Sequence, residues 1–540
     1  MRPVNFEKLS GNSELFLDFI NCRGKARDLF RHCFNSIESY KAVASVIDGR
    51  SYRRGEVAAI LSRELEKTGG SKKAAANIEK FARPNSLVVF AGQQVGMLLG
   101  PMYTVIKALT AYKLAARLES ELGRPVVPCF WLASDDHDFD EIKTAKFLDR
   151  SGECKSVAYQ PANMPAGLPM ADIVLDGQIG DFLDHVESEL VKTEFSEAII
   201  ELIRESYRRD AGVSDAFARL FNAMMDDFGI IPVDPNFAGM KQLMAPVFRG
   251  EIENHDEIFR LFEERSREII KAGYHRQVHK TGDNLNLFIN DGGRRNIIAE
   301  NGRFRLDGRD GEFSPEQLLS MLQRSPERFS PNVLLRPVAQ CLALPTVCQI
   351  TGPSEAAYFA QIQPLFEAMD VPFPVVRPRV FATVMEPHIS KSVDKFSLDF
   401  SSLYNDIEGQ INRVIMESFP PEIQMRAESL RPDVEKPLNE LANQLKKNEP
   451  EGYQAVEHTL KRIDHELNHL SRKLFAVHKK KHDQVRERIY KIAAFLFPDG
   501  KFQERVISPV YFANKFGPDI FKKIESQLDI DSVDHQIVEI

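Results

Sequence analysis

The segment Leu87-Val88-Val89-Phe90-Ala91 is a β-branched, apolar run that stops at Gly92-Gln93-Gln94-Val95-Gly96-Met97-Leu98-Leu99-Gly100-Pro101, and a helical pattern starts at Tyr103. Val105, Leu109, Tyr112 and Ala116 are spaced four, three and four apart, one face of a helix over Tyr103–Leu122. Gly123-Arg124-Pro125 ends that helix, and Val126–Ala133 is a second apolar strand run. Strand, helix, strand in this order favours a parallel sheet with a right-handed crossover, so the chain is expected to be α/β. The glycines Gly92, Gly96 and Gly100 fit neither the dinucleotide fingerprint nor a P-loop, because no Gly-Lys-Ser/Thr follows. A tight strand-to-helix turn explains them. So does a ligand site, where glycine admits a close approach and a helix start attracts anions.

Composition narrows the classes. The 540 residues suffice for two to four domains, and 43% hydrophobic with 27% charged content is that of an ordinary globular protein. A net charge of -8 argues against a nucleic-acid binder. No run approaches the roughly 18 apolar residues of a membrane span. Met1-Arg2-Pro3-Val4-Asn5-Phe6-Glu7 has no apolar signal core, so a cytoplasmic location is expected. Cys22, Cys33, Cys129, Cys154, Cys341 and Cys348 show no Cys-x-x-Cys spacing and read as free thiols.

The first eighty residues read as mostly helical. Residues 146–215 look like a weakly ordered insertion, with a Pro/Gly-rich stretch at Gln160–Met170. Helical Ala216–Phe228 leads to a strand ending in Asp234-Pro235, and helical Gln242–Ala272 follows. Asn284–Ile289 and Asn296–Leu306 have the pattern of hairpin strands within a second insertion, about 275–330. Leu342–Thr351 reads as a buried strand, with a helix starting near Ser354. Beyond about residue 380 the chain turns helical. Tyr453, Val456, Leu460, Ile463, Leu467, Leu470, Leu474 and Val477 alternate steps of three and four, a heptad seam. Val434, Leu438, Leu441 and Leu445 form a shorter seam, and Pro450-Glu451-Gly452 marks the turn of an antiparallel helical hairpin. That hairpin pairs either with a second subunit or within the chain. His465 and His469 lie at i, i+4 but among solvent-type residues, so they read as surface rather than metal ligands.

Chemistry concentrates after the second strand, in Trp131-Leu132-Ala133-Ser134-Asp135-Asp136-His137-Asp138-Phe139-Asp140-Glu141. Open α/β sheets bind ligands at strand C-terminal ends. Crowded carboxylates beside a histidine suit proton transfer from an amine, or binding of an ammonium or Mg2+. Capping by Ser134 or Asp135 with the remainder solvated is the plainer account. Arg336, expected to precede an apolar strand, has the fork to clamp a carboxylate. Gly352-Pro353-Ser354-Glu355-Ala356-Ala357-Tyr358 is a further strand-to-helix turn. Arg377-Pro378-Arg379 either holds an anion or pairs with acids at the domain junction.

Taken together, these motifs resemble the cysteine-adding enzymes of bacillithiol biosynthesis. The matching residues are Gly92-Gln93-Gln94, Gly96, Gly100-Pro101, Tyr103 and Lys107; Phe130-Trp131; Asp135-Asp136-His137-Asp138 with Asp140-Glu141; Arg328-Phe329-Ser330, Asn332 and Arg336-Pro337; Gly352-Pro353, Glu355 and Tyr358; Pro378-Arg379; and Asn514-Lys515-Phe516-Gly517-Pro518. The ordered set spans essentially the whole chain. The resemblance implies a Rossmann-like parallel-sheet core with inserted connecting segments over residues 1–380, similar to the core of class I aminoacyl-tRNA synthetases. It also implies an α-helical coiled-coil domain over 381–540 that supports a homodimer. The reaction it implies is the last pathway step, in which L-cysteine is joined through an amide to the amine of glucosaminyl malate.

That reaction needs an activated carboxylate, a deprotonated amine and partners for two malate carboxylates. The expected catalytic set is Asp136, His137 and Asp138, which orient or deprotonate the amine. The expected substrate-binding set is Gly92, Gln93, Gln94, Gly96, Tyr103, Lys107, Trp131, Arg336, Glu355, Tyr358 and Arg379. Within it, the glycine turn with Lys107 holds an anionic group, and Arg336 and Arg379 hold malate carboxylates. Activation is usually the work of ATP, so an adenine nucleotide with Mg2+ is the candidate cofactor, and no protein metal site is expected. Local composition makes Asn514, Phe516 and Gly517 a nucleotide-binding candidate. The His-Ile-Gly-His-type and Lys-Met-Ser-Lys-Ser-type synthetase signatures are not evident, which leaves nucleotide use open. A non-catalytic dimeric nucleotide-binding or scaffold protein is the alternative.

Overall fold

The computed structural model describes residues 3–150, 152–164 and 167–540; part of the Gln160–Met170 stretch therefore lies outside the described residues. Contacts divide the chain into a unit of Met1–Glu386 with Leu496–Ile540 and a unit of Pro387–Phe495.

In the first unit, β1 (Leu87–Gln93), β2 (Val126–Leu132), β3 (Ile231–Val233), β4 (Thr346–Thr351) and β5 (Val375–Pro378) form one sheet in the order β5-β4-β1-β2-β3. Every pairing is parallel. The chain moves outward from β1 to β3, returns across the sheet, and moves outward again through β4 to β5. The reversal between β1 and β4 is a topological switch point, where a crevice opens beyond the strand C-termini. Both faces of the sheet are covered, which is why its strands are apolar throughout: Leu87 to Ala91 and Val347, Cys348 and Ile350 are fully buried. The helix Tyr103–Leu122 has the predicted bounds and packs on β1 and β2.

The insertions are more ordered than their composition suggests. Residues 146–215 hold most of an antiparallel hairpin (Thr144–Leu148 with Cys154–Ala158) and the helices Ile179–Glu189 and Ser196–Ser206. The second insertion builds a five-stranded antiparallel sheet. Its strands are Asn284–Asn290, Arg294–Glu300, Arg303–Leu306, Glu312–Phe313 and Phe329–Pro331, so the expected strand over Asn296–Leu306 is broken in two. The break falls at Asn301-Gly302, both at positive φ. Leu342–Pro345 is likewise not strand: Arg336–Ala343 is a helix with Pro337 in its first turn.

Residues 496–540 belong to this unit by packing. Phe381–Met385 pairs in parallel with His535–Glu539. Glu504, almost fully buried, accepts from Arg379 through both oxygens (2.6 and 2.8 Å) and from the Ala382 N–H. The family-implied domain of 381–540 thus contributes its C-terminal segment to the core unit.

The second unit is helical. Pro421–Leu445 and Pro450–Lys481 pack on each other as the predicted hairpin, and Arg431 reaches across to Asp464 and to Asn468 (2.8 Å). Of the heptad seam only Val456 is buried, while Leu470 and Val477 are 41% and 54% exposed. His465 and His469 are exposed.

Candidate active site

A cleft of about 330 Å3 opens at the switch point, where the C-terminal ends of β1 and β2 meet the helix after β4 and the inserted sheet. Gly92, Gln93, Gln94, Trp131, Arg336, Glu355 and Tyr358 all line it, as the sequence led us to expect. Asp135, Asp136, Arg294 and Asn332 complete most of the wall.

The glycine turn works differently from an anion cradle. A Cβ on Gly92 would sit 2.9 Å from the Trp131 Cβ, so this glycine serves the close approach of β1 and β2. Gly96 packs on Gly100. The Gly96 and Gly100 N–H groups donate to the Gln94 and Met97 carbonyls, and the Leu98 N–H to the Tyr207 hydroxyl. These three donors are spent within the protein. Lys107 is equally committed. Its buried ammonium donates to Gly92 O (3.0 Å), Gln93 Oε1 (3.0 Å) and Glu355 Oε2 (2.5 Å), which uses all three protons. Lys107 therefore shapes the floor of the cleft rather than holding an anionic group. Tyr103 accepts from Gln93 Nε2 and, with Gly96, lines a separate cavity of about 240 Å3 on the other side of Gln93 and Gln94.

The acidic segment is a set of fixed carboxylates. Ser134 caps no helix; it is buried and donates to Asp234. Burial, with the neighbouring Asp135 charge, lifts Asp234 to about 7. Asp135 is gripped by the buried Lys241 through both oxygens (2.6 and 2.7 Å) and by Asn236 Nδ2 (3.0 Å). Asp136 accepts from Gln94 Nε2 (2.6 Å) and from the His137 and Asp138 N–H groups (2.7 and 3.3 Å). Gln94 also reaches Glu141 (2.9 Å). His137 adjoins the cleft through Arg294, whose Nη1 lies 3.3 Å from Nδ1. A guanidinium only donates, so a hydrogen bond here needs Nδ1 as the accepting nitrogen, and Asp136 Oδ1 lies 3.9 Å from the same atom. Asp138 is exposed.

The basic side is Arg336 and Arg294. Arg336 donates to Gln340 (3.1 Å) and to the Tyr358 hydroxyl (2.8 Å), and burial raises that phenol to about 12, keeping it protonated. Arg294 stacks on Phe288, 3.8 Å from the ring centroid. The sequence offered one signal for it, a cation directly after Asp291-Gly292-Gly293. The indole N–H of Trp131 is buried without an acceptor among the described residues.

One expectation is corrected. Arg379 does not line the cleft; its guanidinium is spent on Glu504 and stacks on Phe381. Asn514 and Gly517 secure the C-terminal segment: Asn514 Nδ2 donates to Val191 O (2.7 Å), and a Cβ on Gly517 would meet the Phe195 ring at 3.0 Å. Phe516 lies beside Lys515, at 5.7 Å. Asp136 and Glu141 converge on Gln94 Nε2, but no group of three or more metal-type side chains occurs among the described residues. Asn514 also lines a cavity of about 740 Å3 with Lys192, Thr193 and Arg204, and its Oδ1 is buried without a partner among the described residues. No described helix is long and apolar enough to cross a membrane.

Known families match the chain along its whole length. The family described as the N-terminal Rossmann-like domain of bacillithiol biosynthesis BshC covers residues 1–380, and that of its C-terminal coiled-coil domain covers residues 382–540. A relative from Salinibacter ruber is 31% identical over 97% of this chain and 96% of its own. One from Koribacter versatilis is 30% identical over 94% of each. Both are provisionally named cysteine ligase BshC. A solved arginyl-tRNA synthetase structure from Campylobacter jejuni aligns over 81% of this chain and 92% of its own at 12% identity, but its TM-score of 0.24 carries no argument.

Proposed function

The chain belongs to the bacillithiol biosynthesis BshC family, and from that premise we propose that it joins the carboxyl group of L-cysteine to the amine of glucosaminyl malate. One observation carries the assignment to this cleft: carboxylates and guanidiniums line the same cavity. Glucosaminyl malate has the complementary polarity, with an amine at one end and two carboxylates at the other. The Asp135–Asp136 side receives the amine and Arg336 receives a carboxylate.

Within that reading the roles follow from what each side chain has left to give. Asp135 is neutralised by Lys241, so it orients rather than accepts a proton. Asp136, accepting from Gln94 and two amides, fixes the ammonium. His137 takes the proton that the amine must lose before it attacks the activated cysteine carboxyl, at the Nδ1 that the Arg294 N–H gives up. The C–N bond forms as the bond from that carbonyl carbon to its leaving group breaks. No residue is assigned to activation. ATP with Mg2+ enters as the first activator to test. The protein acts as a cytoplasmic homodimer through the half-covered heptad seam.

Product formation by mass spectrometry tests the function. Purified protein is incubated with glucosaminyl malate and L-cysteine, with and without ATP-Mg2+. The cysteine amide in either incubation supports the ligase. Folded protein that makes none in both, and still none with a cysteinyl adenylate supplied, overturns it.

A further inference from the structure

Two arginines line the cleft, and among the described residues neither has a carboxylate within ion-pair distance. Of its five N–H donors, Arg294 gives one each to Ser330 Oγ (3.1 Å), Pro331 O (2.7 Å) and His137 Nδ1 (3.3 Å), leaving two. Arg336 gives one each to Gln340 and Tyr358, leaving three. The Phe288 ring fixes the plane of the Arg294 guanidinium. Burial holds that guanidinium below the usual arginine range, with only a partial counterweight from Asp135 and Asp136. Those two acids cannot swing over to it, since Lys241 and Gln94 hold them. A largely desolvated cation without a counter-ion is costly, and a planar fork with spare donors fits a carboxylate.

We propose that Arg294 is a specificity-determining residue: it receives one carboxylate of a dicarboxylate substrate while Arg336 receives the other. The cleft then selects a two-carboxylate acid over its one-carboxylate analogue. This rests on the reading of the cleft as the site of the amine-bearing substrate, and it gives Arg294 the second role that the sequence had suggested for Arg379.

Calorimetry on the full chain tests it with L-malate and 2-hydroxybutyrate, which differ by a carboxylate against a methyl group. The wild type is expected to bind malate at least about tenfold more tightly. Arg294→Ala is expected to bring malate to within about threefold of 2-hydroxybutyrate while leaving the latter within about threefold of wild type. Arg294→Lys covers the case in which the alanine variant does not fold: it keeps the charge, loses the fork, and should show a reduced preference. Equal weakening of both ligands, an unchanged preference in the variants, or no wild-type preference would overturn the proposal. Product formation is scored separately. A working ligase whose malate preference ignores Arg294 removes this assignment alone. Malate binding through Arg294 in a protein that makes no product removes the ligase reading alone.

Discussion

Lys107 Nζ lies 2.5 Å from Glu355 Oε2, so the helix after β1 and the helix after β4 are joined by an ion pair beneath the switch-point cleft. Lys107 is 3% exposed and has no other carboxylate partner among the described residues. Lys107→Met should leave Glu355 with only the Gly352 N–H and destabilise the chain by about 3–5 kcal/mol in urea denaturation. The double variant Lys107→Met/Glu355→Gln should recover part of that loss. A single variant within about 1 kcal/mol of wild type would show that the pair is replaceable.

His137 is the proton acceptor in the proposed reaction. His137→Ala is expected to lower kcat about 100-fold or more while KM for glucosaminyl malate stays within about threefold. Steady-state kinetics read both. An unchanged kcat removes the histidine from the mechanism and leaves Asp138 as the candidate.

Arg336 and Arg379 were equivalent in the sequence and are not in the structure. Arg336→Ala should raise KM for glucosaminyl malate about tenfold with little loss of stability. Arg379→Ala leaves Glu504 buried and unpaired, so it should cost about 3–5 kcal/mol and leave KM alone in the molecules that fold. The reverse pattern would return Arg379 to the substrate.

Asp234 makes stability depend on pH. Its carboxyl titrates near 7 when folded against the ordinary aspartate value of 3.8, which the unfolded chain keeps, and burial is the main cause. Between those values the folded chain holds a proton that the unfolded chain has released. The stabilising contribution is complete below about 3.8 and lost as pH rises through about 7. The stability of wild type relative to Asp234→Asn should therefore fall by about 4 kcal/mol from pH 4 to pH 8, at 1.36 kcal/mol per unit. Denaturation of both proteins across that range measures it; parallel curves would mean that Asp234 ionises normally.

In the proposed homodimer the half-covered seam is the interface. Leu470→Glu with Val477→Glu should convert a dimer to a monomer in sedimentation velocity without loss of helix. A wild type that sediments as a monomer would mean that the hairpin is complete by itself.

Much of the core was legible because its signals are local. Leu87–Ala91, the period of Tyr103–Leu122 and the turns at Gly123-Arg124-Pro125 depend on neighbouring residues, and the strand–helix–strand unit followed from them. The heptad seam was legible for the same reason. What escaped was non-local. Nothing near Arg379 in sequence announces Glu504, and nothing near Asp135 announces Lys241. Arg294 reaches the cleft only because a separate antiparallel sheet folds against the switch point. The Gly92–Gly100 turn was correctly placed but misjudged in its use. Glycine spacing cannot reveal whether the N–H groups face a ligand or, as here, the turn itself and Tyr207.

The parallel pairing of Phe381–Met385 with His535–Glu539 sets an order for synthesis. A ribosome delivers the first of these strands, then the entire Pro387–Phe495 unit, and only afterwards the second. Until then Arg379 waits in the nascent chain without Glu504, and the edge of Phe381–Met385 is open to mispairing. The helical unit is free to form during that interval, so the catalytic unit, though begun first, is the last to be sealed.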